Sequence, residues 1–202
     1  MSGTGRVRWN VCFVLVFAIA VSCSEHKPVV GNYYNIDSVF DKQIGLLLKG
    51  KATLEKNARV GDEDSRVVFV PVDSASWAGE LDIFRNLNAI NKPVNRGLYR
   101  DTVRKDRSSN LTVRIFEALD EDLPVERLEI FFLNAPHDIR RMEATYREEN
   151  VMFRTKRRLR IDFRKKDAGS VISAYSVTGG QKMLLGDSVR YAVTAKISIP
   201  HD

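Results

Sequence analysis

The chain of 202 residues has two cysteines, and Cys23 is the one placed to do chemistry. It follows Ala18-Ile19-Ala20-Val21-Ser22, small and apolar residues that close an apolar run. This is the arrangement of a lipobox, in which the thiol is acylated and the cysteine becomes the new N-terminus. Upstream, Arg6 and Arg8 supply a positive start, and Val11 to Ala20 supply an apolar stretch of ten residues. Spanning a bilayer takes about 20 such residues, so 1–22 reads as a signal peptide rather than a transmembrane helix. Cys12 leaves with that leader, which removes any intramolecular disulfide and leaves Cys23 alone at the new terminus. The alternatives are an uncleaved signal anchor, or cleavage without lipid after Ala20 or Ser22.

The second chemical feature is the run Arg154 to Lys166, with eight basic residues in thirteen. Read as a strand, it turns Phe153, Thr155, Leu159, Ile161 and Phe163 inward, with Arg157 among them. Arg154, Lys156, Arg158, Arg160 and Arg164 then line the opposite face as a candidate anion-contact stripe. Arginine forks suit phosphate bidentately, so one reading is docking to phosphate headgroups or an acidic partner. The more ordinary reading is a solvated face paired across strands with Glu126, Glu129, Glu143, Glu148 and Glu149. Arg157 needs a partner or water if it points inward.

Other constellations are weaker. His26, His137 and His201 fall in a tether, a turn and the C-terminal tail, where no rigid element orients a base. The serines lack a nucleophile-elbow context. Asp62-Glu63-Asp64 and Asp120-Glu121-Asp122 lack the ligand spacing and turn glycine of a calcium loop, and there is no His/Cys cluster. No enzyme activity, metal or cofactor is therefore expected. Gly179-Gly180 reads as a tight hairpin turn.

The elements that must position these residues can be read from periodicity. Ile36, Val39, Phe40, Ile44, Leu47 and Leu48 recur at helical spacing up to Gly50, which predicts a helix over 36–49. A short β pair is expected near 51–58 and 66–71. Asp73 or Ser74 can cap a second helix over 74–90, with Trp77, Leu81, Phe84 and Leu87 toward the core, before Pro93. From Leu98 onward the period becomes alternating: Leu111, Val113 and Ile115 share one face, Leu128, Ile130 and Phe132 another, and Val189 to Ile199 alternate throughout. Turn signals at Asn134-Ala135-Pro136, Glu149-Asn150 and Gly186-Asp187 leave no room for crossover helices, so the sheet should be antiparallel. The expectation is an α+β fold, two N-terminal helices packed on a curved antiparallel sheet of about six to eight strands.

The segments Tyr34-Asn35-Ile36-Asp37, Trp77-Ala78-Gly79-Glu80-Leu81, Ile90-Asn91-Lys92-Pro93 and Gly180-Gln181-Lys182-Met183 resemble a lipoprotein family of the Bacteroidota with no assigned activity. The resemblance implies phylum and compartment only. Surface-exported lipoproteins of that phylum tend to carry an acidic cluster after the cysteine, whereas here Glu25 stands alone beside His26 and Lys27. A periplasm-facing position follows, and Ser24 in place of aspartate points to the outer membrane.

Taken together, 1–22 is expected to be a leader, 23–32 a lipidated cysteine with its tether, and 33–202 a single domain. Removing the leader leaves 180 residues at about +4, since Arg6 and Arg8 leave with it. Export argues against nucleic acid as the polyanion, leaving anionic lipid, glycan or an envelope protein as partners. The expected function is a membrane-anchored envelope lipoprotein acting as a non-enzymatic binding or scaffolding module. The alternative is a periplasmic carrier or chaperone for a lipid or lipoprotein, with a cavity of several hundred Å3 between helices and sheet.

Overall fold

A computed structural model of the protein describes residues 33–166, 169–183 and 188–200. The leader, Cys23, the tether to residue 32, His26, His201 and the Gly186-Asp187 turn signal lie outside the described residues.

Helix α1 spans Ile36–Lys49, the expected range. Asn35 caps it by accepting the Ser38 N–H at 2.9 Å, and the Gly50 N–H closes on the Leu46 carbonyl. Its apolar stripe buries Ile36, Phe40, Ile44 and Leu47, as the spacing requires. Helix α2 spans Ser74–Arg85, capped by Asp73, which accepts the Ser76 N–H at 2.7 Å. It ends earlier than expected, tightening into a 3-10 segment over Asn86–Asn91. Polar side chains hold that segment to the start of α1. Asn91 accepts the Tyr33 N–H at 2.8 Å and donates to the Tyr34 carbonyl at 2.6 Å, while Asn88 donates to Asp37.

Nine strands follow in chain order: β1 (Thr53–Val60), β2 (Glu63–Phe69), β3 (Tyr99–Lys105), β4 (Thr112–Ala118), β5 (Val125–Phe132), β6 (Ile139–Glu149), β7 (Phe153–Lys166), β8 (Gly169–Met183) and β9 (Ser188–Ser198). They form one antiparallel sheet in the order β2-β1-β9-β8-β7-β6-β5-β4-β3, with β2 and β3 as its edges. The class is α+β. Nine strands exceed the six to eight expected, and the helices do not both precede the sheet. The β1–β2 hairpin between them joins the same sheet by pairing β1 with β9, which sets Leu54 opposite Ile197, both buried.

Both helices pack on one face of this sheet. Trp77, Phe40, Phe84, Leu81 and Leu87 meet Leu54, Leu128, Ile130, Ile161, Tyr175 and Ile197 in a single core. Val113 and Ile115 share one face, as the alternation requires, and it is the face opposite this core: they cluster there with Phe131 and Leu111, with the Arg141 guanidinium 4.0 Å from the Phe131 ring centroid. Alternation fixes which residues share a face but not which face the helices cover. Gly179-Gly180 is not a turn but lies inside β8.

Gln43 is the one polar residue in the buried stripe of α1. The β7–β8 register shifts at Asp162 and Phe163, which pair with Ala174 and Ile172 and leave Ser173 as the extra residue. Pairing of β8 with β9 reaches only to Ala174. Beyond it Gln43 takes the place of β9, donating to the Ser170 carbonyl and accepting the Ile172 N–H, each at 2.9 Å. Gln43→Leu keeps the volume but strands a buried donor and a buried acceptor. It should lower the unfolding free energy in urea by about 2–6 kcal/mol, at roughly 1–3 kcal/mol per unsatisfied group.

Candidate functional site

The stripe on β7 is where the sequence places it. Thr155, Leu159, Ile161 and Phe163 are buried, while Arg154, Lys156, Arg158 and Arg160 are exposed on the face opposite the helices. Arg164 is half-buried toward the other end of the strand and has interactions of its own.

Carboxylates of neighbouring strands, and one of β7 itself, neutralise part of the stripe. Arg154 Nε donates to Glu149 at 2.8 Å, which holds the Glu149 carboxyl below its usual range. Lys156 meets Glu126 at 2.7 Å, and Arg147 meets the same oxygen at 3.5 Å. Arg160 bridges Asp162 at 2.8 Å and Glu143 at 3.0 Å. Exposed pairs of this kind contribute about 0–1 kcal/mol each, so they order the face more than they stabilise the fold.

Compensation comes from one side only. The carboxylates that meet Arg154 and Lys156 are on β5 and on β6, whose residues include Glu143, Glu148 and Glu149, whereas the described residues of β8 and β9 contain no Asp or Glu. Arg158 lies between Thr145 and Thr178 in register and makes no ion pair among the described residues. It lines a groove of about 300 Å3 with Ser176, Thr178, Arg160 and Glu143. Lys182 sits opposite Arg154, and Arg190 sits one strand beyond Lys156 across Gly180. Both are exposed and likewise have no ion pair among the described residues. These two cations belong with the stripe, yet a single-strand reading misses them. Only the register of three strands brings them together.

Arg157 points inward and is satisfied there. Its Nε donates to the Tyr191 hydroxyl at 3.0 Å, and its guanidinium approaches Glu148 at 3.4 Å. The bridge runs from β7 to β9 over Gly179, which pairs with both residues. A Cβ at 179 would come within 2.7 Å of the Tyr191 hydroxyl and of the Lys156 carbonyl, so only glycine admits the contact. Burial, then Glu148, raises the nearby Tyr146 phenol, while Arg157 pulls it back.

A carboxylate, an amine and a phenol converge at the seam of α2 and the sheet. Lys56 of β1 meets both Glu80 oxygens at 2.8 Å, and the Tyr175 hydroxyl of β8 donates to Glu80. This cluster ties α2 to two strands through a mostly buried carboxylate. The helix–sheet interface around it is filled, since Trp77, Phe40, Phe84, Leu81 and Ile90 are wholly buried. A concavity of about 330 Å3 beside α1, lined by Tyr34, Val39, Lys42, Pro136 and Phe163, is a surface groove. His137 lies exposed in the 134–138 turn, and no cluster of three metal-ligating side chains occurs among the described residues.

Burial first, and then Glu80, push the Tyr175 phenol well above its ordinary value of 10.0. A group raised on folding contributes stability that is complete below its unfolded pKa and is lost as pH climbs past it. Chemical denaturation midpoints should therefore fall as pH rises above about 10. Tyr175→Phe should flatten that alkaline decline while lowering stability at neutral pH, and an unaltered slope would contradict the assignment. No family model matches the chain, and no curated protein or solved structure matches it either.

Proposed function

We propose that the protein is a non-enzymatic envelope lipoprotein, held at a membrane through acylated Cys23 and acting as a binding or scaffolding module. Its place is the outer membrane, facing the periplasm, and its contact surface is the basic outer face of the sheet. The observation that carries the reading is where the side chains go. The interior between helices and sheet is occupied by aromatic and aliphatic residues, which argues for surface contact rather than for carriage of a lipid inside the fold. The outer face offers Arg158, Lys182 and Arg190, cations that neighbouring strands do not neutralise.

Two experiments test the reading. Cys23→Ala should abolish incorporation of labelled palmitate in cells, and labelling that persists would remove the lipobox from the argument. Native mass spectrometry of residues 24–202, followed by solvent extraction, should give the bare polypeptide mass. A co-purifying acyl species would instead favour the carrier and direct mutation to the helix–sheet seam.

A further inference from the structure

The far end of the sheet joins two surface features. The β6–β7 hairpin carries Val151, 87 % exposed, and Met152, 65 % exposed, at its tip. Phe153 and Met183, which pair across β7 and β8, stand half-buried behind them. Exposed apolar residues grouped in this way mark contact sites more often than isolated ones do. The tip is held in shape. Asn150 accepts the Met152 N–H at 2.8 Å and the Phe153 N–H at 3.0 Å, and the Asn150 N–H closes on the Phe153 carbonyl at 2.9 Å.

Next to this tip the outer face is strongly positive. Strand register brings Arg147, Arg154, Lys156, Arg158, Lys182 and Arg190 together, against Glu126 and Glu149. The step from Phe153 to Arg158 is about 17 Å of extended strand, so the cations begin at the apolar tip and run back from it. An apolar protrusion beside uncompensated lysine and arginine matches one surface in particular. A bilayer with anionic headgroups takes apolar side chains into its interfacial region and attracts basic residues lying within a Debye length of it.

We propose that the β6–β7 tip and the cation patch of β7, β8 and β9 together form a peripheral docking surface for an anionic bilayer. Val151 and Met152 enter the headgroup region, Lys182 and Arg154 lie at phosphate level, and Arg190 and Arg158 follow where the sheet leans onto the surface. The proposal deepens the scaffolding reading by naming the bilayer as a partner, and rests on it for the compartment alone.

The test uses residues 24–202, which lack the acyl anchor but keep every core residue from Tyr33 to Ile199. The probes are phosphatidylcholine vesicles with and without about 30 % phosphatidylglycerol, in flotation assays at about 0.1 M salt, where the Debye length is about 10 Å. The protein should float with the anionic vesicles and not with the neutral ones, and raising salt toward about 1 M should release it. Val151→Asp with Met152→Asp should abolish flotation. Arg158→Gln, Lys182→Gln and Arg190→Gln should each weaken partitioning by up to roughly fivefold, most for Lys182 at the tip. All these positions are exposed, so circular dichroism spectra and melting curves should match those of the unaltered chain. Failure to bind anionic vesicles, or binding indifferent to the tip substitutions, would overturn the proposal, as would capture by a soluble acidic glycan or an envelope protein without any vesicle binding. Palmitate labelling plays no part in the assay, so loss of the Cys23 assignment would leave its result standing.

Discussion

The most basic strand of the chain is also the middle strand of the sheet, and much of the surface follows from that. β7 has four strands on either side, so its charge cannot be relieved at an edge and must be met by its neighbours. β6 and β5 meet it with glutamates, while β8 and β9 offer serine, threonine, glycine and further cations. The sheet is therefore electrostatically lopsided about its own centre, neutral toward β5 and positive toward β9. Exposed ion pairs contribute too little to explain this as a stability device, because the fold rests on its apolar core. Their effect is to decide which cations remain available.

The inner face obeys a different constraint, which is length. A strand of 14 residues extends for about 46 Å. A helix of 14 residues extends for about 21 Å, so α1 covers less than half of β7 even if laid along it. The helix contacts on β8 fall at Ser170, Ile172 and Tyr175, and Gly179 lies four residues further on. Arg157, Tyr191, Tyr146 and Glu148 occupy this end, where the inner face becomes polar. An arginine at an inward position of a half-buried strand is thus accommodated beside a glycine that leaves room for its tyrosine partner. At the covered end the opposite economy applies, and a single glutamine on α1 completes the backbone bonding of β8 where β9 departs.

What could be read in the sequence follows from which patterns are local. Helix α1 is legible to the residue because its stripe and Gly50 are all the information it needs, and the two faces of β7 are legible because alternation is intrinsic to a strand. The strand pairings that collect Lys182, Arg190 and Arg158 are not local. Nor is the membership of the β1–β2 hairpin in the main sheet, which depends on β9 more than 120 residues away. Gly179-Gly180 carries the composition of a turn, and nothing nearby in sequence says that Tyr191 needs the space a side chain would fill. Gln43 looks like an ordinary polar interruption of an apolar stripe until the bulge at Ser173 leaves an acceptor and a donor for it.

The edges of the sheet bear on why contact is proposed for its end and outer face. β2 is exposed throughout, and Val67, Val68 and Phe69 give it apolar surface that could recruit another strand. Its first half, however, is Glu63-Asp64-Ser65-Arg66, with Arg59 and Glu55 of β1 drawn into ion pairs along it, and Pro71 follows shortly after its end. β3 is guarded by Arg100, Asp101, Arg104 and Lys105. Charges and prolines at such positions are the usual means of keeping an edge from pairing with a second chain. With both edges guarded in this way and the helix-covered face closed by its own core, the apolar and basic corner at the β6–β7 tip stands out as a surface that neighbouring strands do not compensate.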